Sequence, residues 1–232
     1  MADHTLAQGA PGHSLSPPPA ATSTTPAGRT PPGAVRLSTF ERVDRAWSAL
    51  PARRRRVAVL GATAVVAVGV GAAAAVSLSV AAAIVAVGLL GGAAAVVDQH
   101  EHRLPNTLLG AAMCTVLVAA LADGSWTLVD VVVSLTMAAF PLWAVRYGKG
   151  LALGDVKFAA VLGAAAGLVH PFAGLLVAWC ATLAAGVFAL GTQRRRLALG
   201  PWLWAGYVAA SAVAIVFVQV LETGGHTWPA RP

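Results

Sequence analysis

The sequence has 232 residues, of which 57% are hydrophobic and only 11% are charged, against about 25% charged residues in ordinary soluble domains. Aromatic residues make up 6%, so the apolar content consists mainly of Ala, Val, Leu and Gly, which suit helices that pack closely in lipid. This composition excludes a soluble globular protein. The net charge of +7 does not indicate nucleic-acid binding, because the basic residues lie in the gaps between apolar runs.

Two segments precede the first apolar run. Residues 1–37 hold seven prolines among small polar residues, which predicts a disordered cytoplasmic tail. Residues 38–56 form a juxtamembrane segment in which Ser38 and Glu41 have the spacing of a capping box. The apolar residues that follow fall on one face and predict a short amphipathic helix on the membrane surface, with a plain linker as the alternative.

Residues 57–221 are predicted to be an all-α, polytopic membrane domain with about seven transmembrane helices. The run 57–97 has no charge over 41 residues and would extend about 60 Å as one helix, twice the hydrocarbon thickness. It is therefore predicted to be two spans that turn near 77–79. The later spans are predicted at 106–122, 127–145, 150–169, 171–190 and 201–221.

The distribution of basic residues predicts the orientation of these spans. With seven spans and a cytoplasmic N-terminus, fifteen of the sixteen Lys and Arg residues fall in cytoplasmic segments or just inside them. Only Arg231, in a short extracytoplasmic tail at 222–232, is outside. The positive-inside rule thus favours a multi-pass protein of the inner (plasma) membrane with its N-terminus in the cytoplasm.

Two aspartates lie at the predicted cytoplasmic ends of different spans. Asp98 ends the second span and Asp155 begins the fifth. If helix packing brings them together, they can share one proton. The ionised carboxylate can then deprotonate a water while the protonated one donates to a peptide carbonyl oxygen. Taken alone, each aspartate has a simpler interpretation as a solvated helix cap.

The local sequences around both aspartates favour the catalytic interpretation. The first reads Asp-Gln-His-Glu-His-Arg-Leu-Pro-Asn from Asp98, and the second reads Gly-Leu-Ala-Leu-Gly-Asp-Val-Lys from Gly150. These resemble the two motifs of the prepilin peptidases (type IV leader peptidases) and their archaeal preflagellin relatives. The resemblance covers about 57–221 and implies that Asp98 and Asp155 are the catalytic pair of an intramembrane aspartyl protease.

Several neighbouring residues are expected to support this pair. Pro105 cannot continue a helix, and Asn106 is expected to be the N-cap of the third span. Lys157 is two residues from Asp155, so it does not share its helix face and is expected to extend towards the headgroups.

Gly150, Ala152 and Gly154 form a strip of small residues where a substrate backbone could approach; close helix packing is the alternative. Ala152 stands where the resembled motif has its first glycine, which leaves its effect on activity open.

The resemblance implies an enzyme without a cofactor that removes the basic leader from type IV prepilin-like or pseudopilin-like precursors. No Cys-x-x-Cys pair occurs, so the N-methylation performed by two-function members is not implied. His100 and His102 alone are a weak metal motif, and no nucleic-acid partner is expected. The alternatives are a small proton-coupled transporter with intramembrane carboxylates, or an inactive assembly factor. The precursor and the oligomeric state are not indicated by the sequence.

Overall fold

A computed structural model of the chain describes residues 38–147, 151–192 and 197–223, and these residues are entirely helical apart from short connections. The predicted tail 1–37, Gly150 and nearly all of the predicted tail 222–232 lie outside the described residues. The all-α fold class is confirmed. The eight helices in the described part of the chain are α1 (Thr39–Ala49), α2 (Ala52–Ala75), α3 (Leu78–Glu101), α4 (Asn106–Asp123), α5 (Ser125–Tyr147), α6 (Leu153–Gly167), α7 (Ala173–Thr192) and α8 (Gly200–Thr223).

The juxtamembrane helix α1 starts with the predicted capping box. The Ser38 Oγ accepts a hydrogen bond from the Glu41 N–H over 3.3 Å, and Glu41 Oε2 accepts one from the Ser38 N–H over 2.6 Å. Two of the N–H groups that a helix start leaves without intrahelical partners are thereby satisfied. Ala46 and Leu50 are buried, so one side of α1 packs on the protein.

The long apolar run divides where the sequence predicts. Val76 ends α2 in an extended conformation, and the Ser77 side chain then caps α3 by accepting from the Val80 N–H over 3.4 Å. A serine at this position favours a new helix over continuation of the old one. The prediction of two spans, rather than one, in this run is confirmed.

Each of the seven predicted spans corresponds to one helix, and six of these are long and apolar enough to cross a membrane. The exception is α6, which the sequence places at 150–169 and the structure confines to fifteen residues. At 1.5 Å per residue it extends about 22 Å, less than the hydrocarbon thickness of about 30 Å. Ten of its fifteen residues are buried, so α6 is surrounded by protein along most of its length.

Helix α6 packs against α5 and α7 most closely, and also contacts α3, α4 and α8. Its Phe158 and Leu162 are fully buried in the core. A polar contact joins this layer, because Ser134 of α5 donates to the Gly163 carbonyl oxygen over 2.7 Å and accepts from the Gly174 N–H over 2.8 Å. The hydroxyl group thus connects three helices in an otherwise apolar core, as interhelical hydrogen bonds do in membranes.

Several helix ends come together at one end of the bundle. The C-terminal end of α3 lies beside the N-terminal ends of α4, α6 and α8, and α1 crosses the same region. A hydrogen bond of 2.8 Å between the Thr39 and Thr107 hydroxyl groups joins α1 to α4. This arrangement places the two aspartate motifs at the same end of the molecule.

Candidate active site

Asp98 lies in the last turn of α3, and only 6% of its surface is exposed. Gly200, the first residue of α8, donates its backbone N–H to Asp98 Oδ2 over 3.2 Å. The N-terminus of a helix carries partial positive charge, so α8 stabilises a negative charge on this carboxylate. His102 ends α3 in a left-handed conformation (φ 51°), and its backbone N–H donates to the Asp98 carbonyl oxygen over 2.9 Å.

Sequence reasoning missed Gly200. A Cβ atom at this position would lie 2.6 Å from Asp98 Oδ2, so only glycine allows the carboxylate to reach the backbone N–H without displacement. Gly200 followed by Pro201 could have been identified as a helix start. No sequence signal connects that start with an aspartate 102 residues earlier.

Asp155 lies in the first turn of α6 and is half-buried. Its carboxylate interacts with the backbone N–H of Ala152, the N-cap of α6, and with the carboxylate of Asp98. Like charges that interact in a partly buried site disfavour double ionisation. The structure therefore brings together the two carboxylates that the sequence singled out, in a form suited to acid–base chemistry.

The two sequence motifs are also in direct contact. A Cβ atom built at Gly154 would lie 3.4 Å from Leu104 Cδ1, which is ordinary van der Waals contact. Leu104 belongs to the Leu-Pro-Asn element that follows α3, and Gly154 precedes Asp155. The loop after α3 thus packs on the start of α6.

The remaining predicted support residues divide into three groups. Pro105 is buried and is itself the N-cap of α4, so the expectation that Asn106 is the N-cap is wrong. Pro105 ends the extended loop, so α4 starts at Asn106, one residue earlier than it would with the asparagine as the N-cap. Ala152 and Lys157 are exposed at the start of α6, and Gly150 lies outside the described residues.

Of the polar residues that follow Asp98, Glu101 interacts with α1. Glu101 Oε2 lies 4.0 Å from Arg42 Nη1 of α1, which joins the end of α3 to the surface helix. His100 and His102 are exposed. Within the described ranges, no group of three or more His, Cys, Asp or Glu side chains is placed to hold a metal ion.

Comparison with known protein families finds one similarity. The model of the type IV leader peptidase family matches residues 85–190, from the middle of α3 to the end of α7, and so includes both aspartates. This segment is thus similar to the type IV leader peptidase family. Comparisons with curated proteins and with solved structures give no significant match.

The chain is therefore a multi-pass membrane protein with a segment that is similar to the type IV leader peptidase family. Helices α1, α2 and α8 lie outside the matched segment. Gly200, which holds Asp98, is among these outer residues. The backbone donor to Asp98 thus lies outside the segment that the family model matches.

Proposed function

We propose that this protein is an aspartic endopeptidase of the leader-peptidase type and that Asp98 and Asp155 are its catalytic pair. The observation that carries the proposal is the placement of the two carboxylates at one end of the bundle, in the last turn of α3 and the first turn of α6, with the backbone N–H of Gly200 directed at Asp98. Its substrate is a type IV prepilin-like or pseudopilin-like precursor. The bond cut lies after a glycine, between a basic leader and a hydrophobic helix.

The two aspartates have different roles in the proposed reaction. Asp98 is the ionised base, because it accepts the Gly200 hydrogen bond at the positive end of α8. Asp155 holds the shared proton and donates it to the carbonyl oxygen of the scissile bond. Asp98 takes a proton from the water that attacks the carbonyl carbon. Asp98 then passes this proton to the leaving amine as the carbon–nitrogen bond breaks, and a hydroxyl proton of the collapsing intermediate returns to Asp155; no metal takes part.

The site is proposed to face the cytoplasm at the inner (plasma) membrane, with the N-terminus on the same side. This orientation is supported by the Lys and Arg distribution, since Arg53–Arg56, Arg103 and Arg146 all lie at one end of the bundle or next to it. A basic leader in the cytoplasm would reach a site on this face directly. A single cysteine at position 99, with Cys114 and Cys180 replaced, should resist an impermeant thiol reagent in intact cells. Labelling there from outside would contradict the orientation.

Substitution of the aspartates tests the catalytic pair. Asp98→Asn and Asp155→Asn should each lower cleavage by about 10²–10⁴-fold, the usual contribution of general acid–base catalysis. Cleavage is measured as conversion of a co-expressed precursor with a basic leader, a glycine and an apolar helix, followed by immunoblot. Asp44→Asn is the matched control, because Asp44 is an exposed carboxylate of α1 near the same end of the bundle.

Cleavage at the wild-type rate in either catalytic variant would contradict this mechanism. The alternative of a proton-coupled transporter fits less well, because both carboxylates lie at one end of the bundle rather than at the middle of the bilayer. Membrane insertion of each variant, checked by its level in the membrane fraction, separates loss of chemistry from loss of folding.

A further inference from the structure

An apolar groove of about 800 Å³ runs along the outside of the bundle. Its walls are α2 and α3, its floor is α8, and α1 closes one end. The floor includes the Trp204 ring, which is fixed by an indole N–H hydrogen bond of 2.7 Å to the Gly88 carbonyl oxygen. A groove of this size is within the range of small-molecule sites in proteins.

The groove has one polar end and one apolar end. Arg54 and Gln99 line the end beside α1, together with Trp47. Farther along, the lining is apolar apart from Thr63, and it ends near Val66 on α2 and Gly88 on α3. An occupant that matches this lining has a polar group at one end and hydrocarbon along the rest of its length.

The length of the groove indicates which kind of occupant fits. The part of α2 that lines the groove, from Arg54 to Val66, is about 18 Å long. The corresponding part of α3, from Gly88 to Gln99, is about 16 Å long. Half of the hydrocarbon core of a bilayer is about 15 Å thick. The groove therefore extends through one leaflet and stops, as an acyl chain does. A transmembrane helix of a partner would need a surface twice as long.

The charge at the polar end favours an anionic head group. Arg54 is exposed, and within the described part of the chain no carboxylate pairs with it. The neighbouring Arg55 is used differently, because its Nε donates to the Leu50 carbonyl oxygen over 3.0 Å and so fixes the turn between α1 and α2. An arginine on the membrane surface binds phosphate through several N–H donors.

We propose that this groove binds one anionic phospholipid, with an acyl chain between α2 and α3 on Trp204 and the head-group phosphate at Arg54. The lipid belongs to the leaflet on the aspartate side of the bundle. It fills a surface formed by α1, α2, α3 and α8, of which only α3 lies partly within the family match. The proposal does not depend on the catalytic mechanism.

The test is native mass spectrometry of the full chain, delipidated in detergent and titrated with palmitoyl-oleoyl phosphatidylglycerol or phosphatidylcholine. We expect one phosphatidylglycerol per chain, bound at least fivefold more tightly than phosphatidylcholine. Arg54→Gln should remove this preference. Arg53→Gln is the matched control, because Arg53 is an exposed neighbour that does not line the groove. If Arg54→Gln and Arg53→Gln lose the preference for phosphatidylglycerol equally, the attraction is diffuse and the proposal is overturned. Equal binding of phosphatidylglycerol and phosphatidylcholine by the unaltered chain would also overturn it.

A second pair of variants tests the acyl-chain position. Ala62→Phe fills the groove from the α2 wall and should lower phosphatidylglycerol binding at least fivefold, whereas Ala67→Phe, on an exposed part of α2 outside the groove, should not. Unfolding temperatures in lipid-free detergent report whether each variant is folded. If Ala62→Phe unfolds early, Ala93→Leu fills the same groove from the α3 wall. If either variant that fills the groove is folded and still binds phosphatidylglycerol as tightly as the unaltered chain, the proposal is overturned.

Discussion

Helices α2 and α3 are consecutive, equal in length at 24 residues each, and built from the same small and branched apolar residues, yet their surroundings differ. In the most apolar stretch of α2, 17% of the residues are buried inside the protein, against 56% in α3. Helix α2 thus lies at the periphery, and α3 lies in the interior with contacts to α1, α2, α4, α6 and α8.

This difference indicates what determines whether a helix lies in the interior or at the periphery of a membrane protein. Lipid tails are as apolar as leucine, so hydrophobicity alone does not draw one helix further inside than another. Polar contacts distinguish α3. Trp204 and Tyr207 of α8 donate to the carbonyl oxygens of Gly88 and Ile84, and Gly200 donates to Asp98. No such contact from α8 to the backbone of α2 occurs in the described residues.

The largest effect outside the aspartates is expected where α8 meets the buried end of α3. Gly200→Val places a branched side chain against Asp98 Oδ2, where even a Cβ atom would lie at 2.6 Å. A displacement of about 1 Å at a catalytic group can cost about a hundredfold in rate, so precursor cleavage should fall about a hundredfold.

Gly186→Val on α7 is the control for Gly200→Val, because a Cβ atom there meets nothing within 4 Å. The unfolding temperature of both variants is measured alongside cleavage. Full activity in Gly200→Val would mean that the end of α3 does not need the α8 contact, and the proposed role of Asp98 as the base would lose its support.

A smaller effect is expected across the site, at the start of α6. Ala152 is exposed, so Ala152→Leu should leave the unfolding temperature unchanged. Cleavage should nevertheless fall about tenfold or more, because a branched side chain intrudes where the substrate backbone approaches, and overpacking typically costs about 1–3 kcal/mol. The readout is the rate of leader removal in detergent.

Ala152→Gly serves as the control for this strip and should retain activity. Cleavage by Ala152→Leu at the rate of the unaltered protein would mean that the strip is remote from the substrate. If the unaltered protein is inert and Ala152→Gly cuts the precursor, the alanine marks an inactive enzyme, and the role of an assembly factor is to be preferred.

The smallest effect tests the difference between α2 and α3 directly. Val87 of α3 is fully buried, whereas 69% of Val70 of α2 is exposed. Val87→Ala should lower the free energy of unfolding by about 1–2 kcal/mol, because it leaves a cavity among protein side chains. Val70→Ala should leave it nearly unchanged, because lipid fills the space. The free energy of unfolding is measured by equilibrium unfolding in mixed micelles. If Val70→Ala lowers it as much as Val87→Ala does, α2 is buried by a partner.

Much of the fold can be predicted from the sequence because its signals are local. A serine that can cap a helix divides the long run at Ser77, and lengths near twenty apolar residues mark the other spans. The short α6 cannot be predicted in this way, since a helix enclosed by other helices need not match the bilayer thickness. The error at Asn106 has a local cause too, because Pro105 ends the loop and is itself the cap.

The candidate site was predictable only in part. Asp98 and Asp155 stand out because carboxylates are rare in apolar segments and because their motifs resemble those of a known family. Gly200 does not stand out, since a glycine before a proline is ordinary at a helix start. Its role depends on a contact between segments 102 residues apart, which follows from packing rather than from any local pattern.

The three hydrogen bonds from α8 to α3 have a consequence for the order of biosynthesis. A ribosome adds about 5–20 residues per second, so Asp98 is made about 5–20 s before Gly200 emerges. During that interval the N–H group that holds the carboxylate does not yet exist, and neither do the donors to Gly88 and Ile84. If Asp98 and Asp155 are the catalytic pair, the nascent protein is thus expected to be inert towards any precursor beside it until α8 has been made and has entered the membrane.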